Sequence, residues 1–282
     1  KVVVALVSGY IPTNGKNSKF DLGPINTTIS GNPVEGLRLR VGGMTTAKLN
    51  KNLFARGYVA YGFGDKKLKY KAELEYSFND KKYHSLEFPV HSIKVSHSYD
   101  VDQIGQRYMF TNADNVFLTL KRQRNDRMTY LRSSNLQYTL ETKSGFSISG
   151  GLKFNTQEAT MWLPFVDRMG KVYNSYDEAI FNVTLRYAPG EKFYQTKNNR
   201  IPINLDAPIF ALTQTYAPKG FLGSRNTINK TEFSAQKRFW FSAFGYTDII
   251  LKAGKVWSEV DYPDLLIPNA NLSYTIQPES YA

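Results

Sequence analysis

The side chains able to do chemistry are unevenly placed along the chain. His84, His91 and His97 are its three histidines and fall in one short stretch, and clustered imidazoles are a common start for a metal site or a general base. In an extended chain successive side chains alternate between faces, which sets His84 against His91, and Pro89 interrupts the run between them. A shared metal site is not expected, and the three read as surface or lumen residues. No spacing brings Ser, His and an acid together, and neither a Gly-x-Ser-x-Gly elbow nor a Walker loop occurs. Cysteine is absent, which excludes thiol nucleophiles and Cys-ligated metals. Neither enzymatic activity nor a cofactor is expected. Gly62-Phe63-Gly64-Asp65 reads as a turn, and the Asn-x-Ser/Thr matches at Asn26, Asn182, Asn229 and Asn271 as ordinary turn and lumen residues.

Two places are more specific. Gly31-Asn32-Pro33-Val34-Glu35-Gly36 is a turn leading into a strand that carries Arg38 and Arg40. Ala217-Pro218-Lys219-Gly220-Phe221-Leu222-Gly223-Ser224 is a loop whose Gly-Phe pair permits a tight turn and supplies one large apolar anchor.

The elements that would position these residues are strands. In Leu68-Lys69-Tyr70-Lys71-Ala72-Glu73-Leu74-Glu75-Tyr76-Ser77-Phe78 the apolar residues take one parity and the charged residues the other. This period of two predicts a strand, and its length matches the about 9–11 residues of a tilted membrane strand better than the about 5–6 of an ordinary sheet. The pattern recurs over 146–155, 181–187 and 270–277, with further strands expected near 37–44, 53–62, 116–124, 128–140, 208–216, 230–243 and 246–257, and one after Tyr83. Asn79–Lys82, Arg124–Arg127 and Glu141–Gly145 read as tight turns, against longer loops over 156–178, 188–207 and 217–229. Short turns on one side and long loops on the other are expected of a membrane barrel. The fold class is therefore all-β, an antiparallel transmembrane β-barrel, with residues 1–30 as a lead-in segment or first strand region and 31–282 as barrel strands. Leu68, Tyr70, Leu74 and Tyr76 are expected to face lipid, and Arg38, Arg40, Lys69, Lys71, Glu73 and Glu75 the lumen.

Composition agrees. Aromatic residues make up 14% of the 282 residues, with 19 Tyr and 18 Phe, and Tyr suits a membrane interface because its ring sits in lipid and its hydroxyl among headgroups. The net charge of +12 is spread over strands and turns, so it points to anionic lipid or an anionic permeant and not to nucleic acid. No apolar run approaches the about 20 residues of a membrane helix, which excludes a helical transporter. Val2–Val7 is too short for a span and lacks the cleavage pattern of a signal, so a longer chain is expected.

Several motifs together resemble an uncharacterised family of Gram-negative outer-membrane proteins, described as carboxypeptidase-like regulatory domain-containing proteins. They are Asn32-Pro33-Val34-Glu35-Gly36-Leu37-Arg38, Tyr61-Gly62 with Asp65-Lys66-Lys67, Ile104-Gly105-Gln106-Arg107, Thr111-Asn112-Ala113-Asp114-Asn115, Leu205-Asp206-Ala207-Pro208, Lys237-Arg238-Phe239-Trp240-Phe241 and Ile267-Pro268-Asn269-Ala270-Asn271. The resemblance implies the bacterial outer membrane, a small regulatory-type β domain before the barrel and more barrel after Gln277–Tyr281. The barrel is distantly similar to the bacterial surface-antigen superfamily of assembly factors and translocators, whose Arg-Gly-Phe/Tyr loop folds into the lumen. Lys219-Gly220-Phe221 looks like that loop with Lys for Arg, a change that removes bidentate carboxylate pairing. The resemblance thus implies a lumen loop of Lys219, Gly220 and Phe221 in contact with Glu232.

The function expected is outer-membrane protein assembly or translocation, by strand-edge pairing or an inward gating loop. The alternatives are a channel or receptor barrel for a small solute, and a structural envelope protein with a periplasmic partner domain. Expected partners are outer-membrane lipid, lipopolysaccharide and other envelope proteins.

Overall fold

The computed structural model describes residues 9–103, 126–166, 170–195 and 200–268. The elements are strands: β1 (Ile11–Pro12), β2 (Phe20–Leu22), β3 (Ile29–Asn32), β4 (Gly36–Thr45), β5 (Leu53–Gly62), β6 (Leu68–Ser77), β7 (His91–Gln103), β8 (Met128–Glu141), β9 (Phe146–Glu158), β10 (Phe165–Val166), β11 (Val172–Tyr173), β12 (Ser175–Tyr187), β13 (Phe193–Gln195), β14 (Arg200–Pro202), β15 (Ile209–Ala217), β16 (Ile228–Trp240) and β17 (Tyr246–Val256). Thirteen of them form one sheet in the order β1-β2-β4-β5-β6-β7-β8-β9-β12-β15-β16-β17, with β3 also on β4. Every pairing within it is antiparallel. β2 and β3 lie along the same edge of β4, so the lead-in segment already contributes to the sheet. β10–β11 and β13–β14 are separate hairpins within the loops.

Register makes the two faces continuous. Leu74, Val95, Leu136, Leu152, Phe181 and Tyr216 stand directly opposite one another from β6 to β15. Leu74, Val95 and Leu136 are 51%, 55% and 45% exposed. On the other face Glu75, Lys94, Gln137, Gly151, Asn182, Thr215 and Lys230 form the matching polar row from β6 to β16. The polar face is concave, because Arg38 on β4 reaches Asp100 on β7 across two intervening strands. Charges inside and apolar side chains outside invert the arrangement of a sheet folded in water. Among the described residues the buried apolar clusters are small: Val34 with Met128 and Tyr130, and Ile180 with Ala217 and Ile228.

Three expectations need correction. The described strands form an open sheet, not a closed barrel: β1 has two residues and β17 eleven, and β17 pairs only with β16 among the described residues. Loop lengths are not sorted by rim. The first rim holds both the short 142–145 turn and the long 188–208 loop, and the second both 63–67 and 159–174. The end at which a loop lies depends on how many strands precede it, and β7 pairs directly with β8 with no strand between them. The tight turn expected at Asn79–Lys82 is the start of a longer folded loop between Ser77 and His91, and the strand expected after Tyr83 is present as β7. The stretches 116–124 and 270–277 lie outside the described residues.

Candidate functional site

The densest chemistry is an ion-paired cluster on the concave face near the second rim. Its base is the β3–β4 turn, where Asn32 Oδ1 accepts the amides of Val34 and Glu35 at 3.0 and 2.8 Å and its amide donates to Glu35 Oε2 at 2.5 Å. This side-chain turn aims the Glu35 carboxylate inward. Glu35 receives Lys69 Nζ at 2.9 Å and Arg38 Nη1 at 3.1 Å, and all three are essentially without solvent exposure. Arg38 also forms a bidentate pair with Asp100, at 2.5 Å from Nη1 and 2.8 Å from Nη2. Tyr58 donates to the same carboxylate, and the Arg40 guanidinium stacks 3.6 Å from the Tyr58 ring centroid. Lys69 continues to Asp65 in the β5–β6 turn at 2.6 Å, and Asp65 accepts the Tyr130 hydroxyl at 2.8 Å. Gly62 makes room for this: a Cβ there would lie 2.6 Å from Lys69 Nζ and also meet Asp65. Farther along the face, Arg56 bridges Glu73 at 2.7 Å and Glu75 at 2.5 Å, Lys71 reaches Glu73 at 3.2 Å, and Ser92 donates to Glu75 at 2.8 Å.

Arg38, Lys69, Glu73 and Glu75 are thus buried on the polar face and paired, while Leu68, Leu74 and Tyr76 are exposed on the apolar one. Tyr70 shares the apolar parity and is half-buried, with its hydroxyl 3.1 Å from His97 Nε2. The arrangement crosslinks strands and neutralises cations, so it does not present a row of free positive charge.

The loop expected in the lumen lies elsewhere. Gly220 has φ +81° and starts a short 3-10 turn, Phe221–Gly223. The Phe221 ring packs 5.5 Å from Phe181, which belongs to the exposed apolar row, and Lys219 is exposed. Glu232 sits in mid-strand opposite Thr213 and Gly254, a register that does not pair it with Lys219. The apolar ring decides the loop's side: Phe221 finds an aromatic partner on the outward face, and Ser224 ties the loop to the Ala179 amide at 2.8 Å.

At the first rim two loops form a cap. Arg200 holds Glu141 through two bonds of 2.7 and 2.9 Å, and Glu141 accepts the Val90 amide at 2.9 Å. The Glu87 carboxylate gathers the amides of Lys82, Tyr83 and His84. His84 Nδ1 accepts the Leu86 amide at 3.0 Å, which leaves its proton on Nε2, 3.1 Å from the Gln195 amide group. Burial pushes the His84 imidazole down to about 4, although nearby Glu87 opposes it. Burial likewise lowers the Lys81 ammonium, which donates to the carbonyls of Glu87 and Pro89 at 2.6 and 2.9 Å.

Sequence alone assigns no pairing role to the carboxylates Glu35, Asp65 and Asp100, although Glu35 and Asp65 stand in turns that it marks out. The missing information is register: which residue of β7 faces Arg38 depends on turn geometry. Register also brings together Ser134 and His97, with Ser134 Oγ 2.8 Å from His97 Nδ1. No local spacing announces a pair separated by thirty-seven positions.

The model of a family of unknown function, the DUF5686 C-terminal domain, matches residues 4–161 and 164–279. The chain belongs to this family. No curated protein matches it. The DUF5686 match includes the ion-paired cluster, the apolar row and the first-rim cap, and its brief gap falls in the connection between β9 and β10.

Proposed function

We propose that this DUF5686 chain is a wall of a β-barrel in the bacterial outer membrane, with the apolar face on lipid and lipopolysaccharide and the ion-paired face on the lumen. The observation that carries this reading is the outward row of Leu74, Val95, Leu136, Leu152, Phe181 and Tyr216, exposed at every position but the half-buried Leu152, set against buried Arg38, Lys69 and Glu35. On β9 the apolar parity runs from Phe146 to Phe154. Those eight steps span about 27 Å along the strand and about 20 Å at a ~40° tilt, near the about 25 Å band of outer-membrane barrels.

Within that membrane the role supported best is assembly or translocation of other envelope proteins by strand pairing. This reading needs an open seam in the wall, where an unpaired strand edge templates an incoming strand. β17 pairs with β16 among the described residues, and the strand expected over 270–277 follows it, so the seam is to be sought beyond β17. The surface-antigen analogy then rests on the long antiparallel strands and no longer on the Lys219 loop. Depletion tests the role. Folded yields of other outer-membrane barrels are expected to fall, whereas normal yields with lost uptake of one solute would move the role to a channel. The channel reading has the continuous polar row in its favour, but Arg38, Lys69 and Lys71, three cations of the polar face that could set its selectivity, are engaged by carboxylates.

A further inference from the structure

We infer that Ser134, His97 and Tyr70 form a nucleophilic site on the outward face of the sheet that cleaves acyl esters of phospholipids. The inference rests on the membrane-wall reading above. Its geometry is a hydroxyl–imidazole–phenol chain: Ser134 Oγ lies 2.8 Å from His97 Nδ1, and His97 Nε2 lies 3.1 Å from the Tyr70 hydroxyl oxygen. One tautomer satisfies both contacts, with Nδ1 accepting the Ser134 proton and Nε2–H donating to Tyr70. That is the state in which an imidazole serves as general base to a serine.

Position supplies the substrate. His97 stands opposite Ala72 and Ser134, and Ser134 opposite Phe154, all on the apolar parity. One step along the same face toward the band's middle are Leu74, Val95 and Leu136, all exposed. One step the other way the face turns polar: Tyr99 opposite Arg132, Arg132 opposite Thr156, and then Glu158. The pair therefore lies at the boundary between apolar band and charged rim, the depth of a lipid's ester linkages in a bilayer. Arg132 is 53% exposed and 3.3 Å from Glu158, leaving guanidinium surface for a headgroup phosphate, while the acyl chain would run along Val95 and Leu136. His91 shows the alternative use of such a residue. It pairs with the Tyr138 hydroxyl at 3.0 Å on the same face and stacks on Phe78, without a serine.

The reaction is hydrolysis. Ser134 Oγ adds to the ester carbonyl carbon as His97 Nδ1 takes its proton. The tetrahedral adduct then breaks the bond to the glycerol oxygen, which receives that proton and leaves as lysophospholipid. Water attacks the acyl–Ser134 ester, losing a proton to His97, and the adduct collapses to fatty acid as the proton returns to Oγ. Tyr70 is a positioning residue, holding the ring in the tautomer that accepts at Nδ1.

The test uses the full-length protein reconstituted in phosphatidylethanolamine–phosphatidylglycerol vesicles carrying a phospholipid with a fluorogenic acyl ester, together with an alkyl fluorophosphonate probe. The probe is expected to modify Ser134, and Ser134→Ala or His97→Ala to lower hydrolysis at least about 100-fold. Tyr70→Phe is expected to displace the pH profile, while His91→Ala leaves activity unchanged. No modification of Ser134 together with hydrolysis equal to protein-free vesicles would overturn the site. A label at Leu136→Cys reports separately on the wall reading. If that label is lipid-exposed and Ser134 is inert, only the enzymatic inference fails; if the label is in water, the lipid-substrate assignment fails with the wall reading.

Discussion

Arg38 on β4 and Asp100 on β7 are joined by two nearly parallel hydrogen bonds, 2.5 and 2.8 Å, although β5 and β6 lie between their strands. In a flat sheet three strand spacings are about 14 Å, so the pair pins the curvature of the polar face. It also makes Arg38 dependent on acids, since its guanidinium is removed from water and held by Glu35 and Asp100.

Asp100→Ala is expected to destabilise the fold by about 3 kcal/mol, because it removes the bidentate carboxylate from a buried guanidinium and leaves it only Glu35, which Lys69 shares. Arg132→Ala breaks a 3.3 Å pair whose arginine is 53% exposed and should cost less than about 1 kcal/mol. Urea unfolding in lipid vesicles measures both. Equal losses would mean that the Arg38–Asp100 pair is solvated.

Much of this was legible in sequence. Strict alternation over 68–78 predicts β6 to within one residue and the separation of Lys69, Glu73 and Glu75 from Leu68, Leu74 and Tyr76, because strand side chains have a period of two. The cluster's carboxylates were not legible, since Asp100 meets Arg38 only through the accumulated register of four strands. The Lys219–Phe221 loop misled for a different reason. A short signature does not say toward which face its aromatic turns, and here Phe181 offers the outward partner.

Phe221→Ala should therefore free the 218–227 loop more than Lys219→Ala does. The aromatic contact with Phe181 contributes about 0.5–1.5 kcal/mol beyond burial, while Lys219 is exposed. Gly220→Ala should also destabilise it, by about 1 kcal/mol, because φ is +81° there although no atom lies within 4 Å of the added Cβ. Protease nicking within 218–227 ranks the three variants. A Lys219→Ala effect larger than that of Phe221→Ala would contradict the outward packing.

The first-rim cap should be acid-sensitive. His84 is held neutral, with its folded value of about 4 below the ordinary 6.5. Its contribution is therefore complete above about 6.5 and is lost as pH falls toward 4, because the opened state takes up a proton that the closed state refuses. At 1.36 kcal/mol per pH unit the full loss is about 3 kcal/mol. Hydrogen exchange of the 82–87 amides, corrected for intrinsic rate, should quicken between pH 7 and pH 4.5 in the native protein but much less in His84→Asn. An unchanged native profile would show that His84 is not buried in the cap.

The most direct measurement uses the absence of native cysteine. Nitroxide labels on Leu136→Cys and Gln137→Cys, neighbours on opposite faces of β8, are read in vesicles against oxygen, which concentrates in lipid, and a water-soluble nickel chelate. A membrane wall predicts strong oxygen relaxation and weak nickel relaxation at 136, with oxygen relaxation lower and the nickel-to-oxygen ratio higher at 137. Strong nickel relaxation at 136, equal to that at 137, would contradict it.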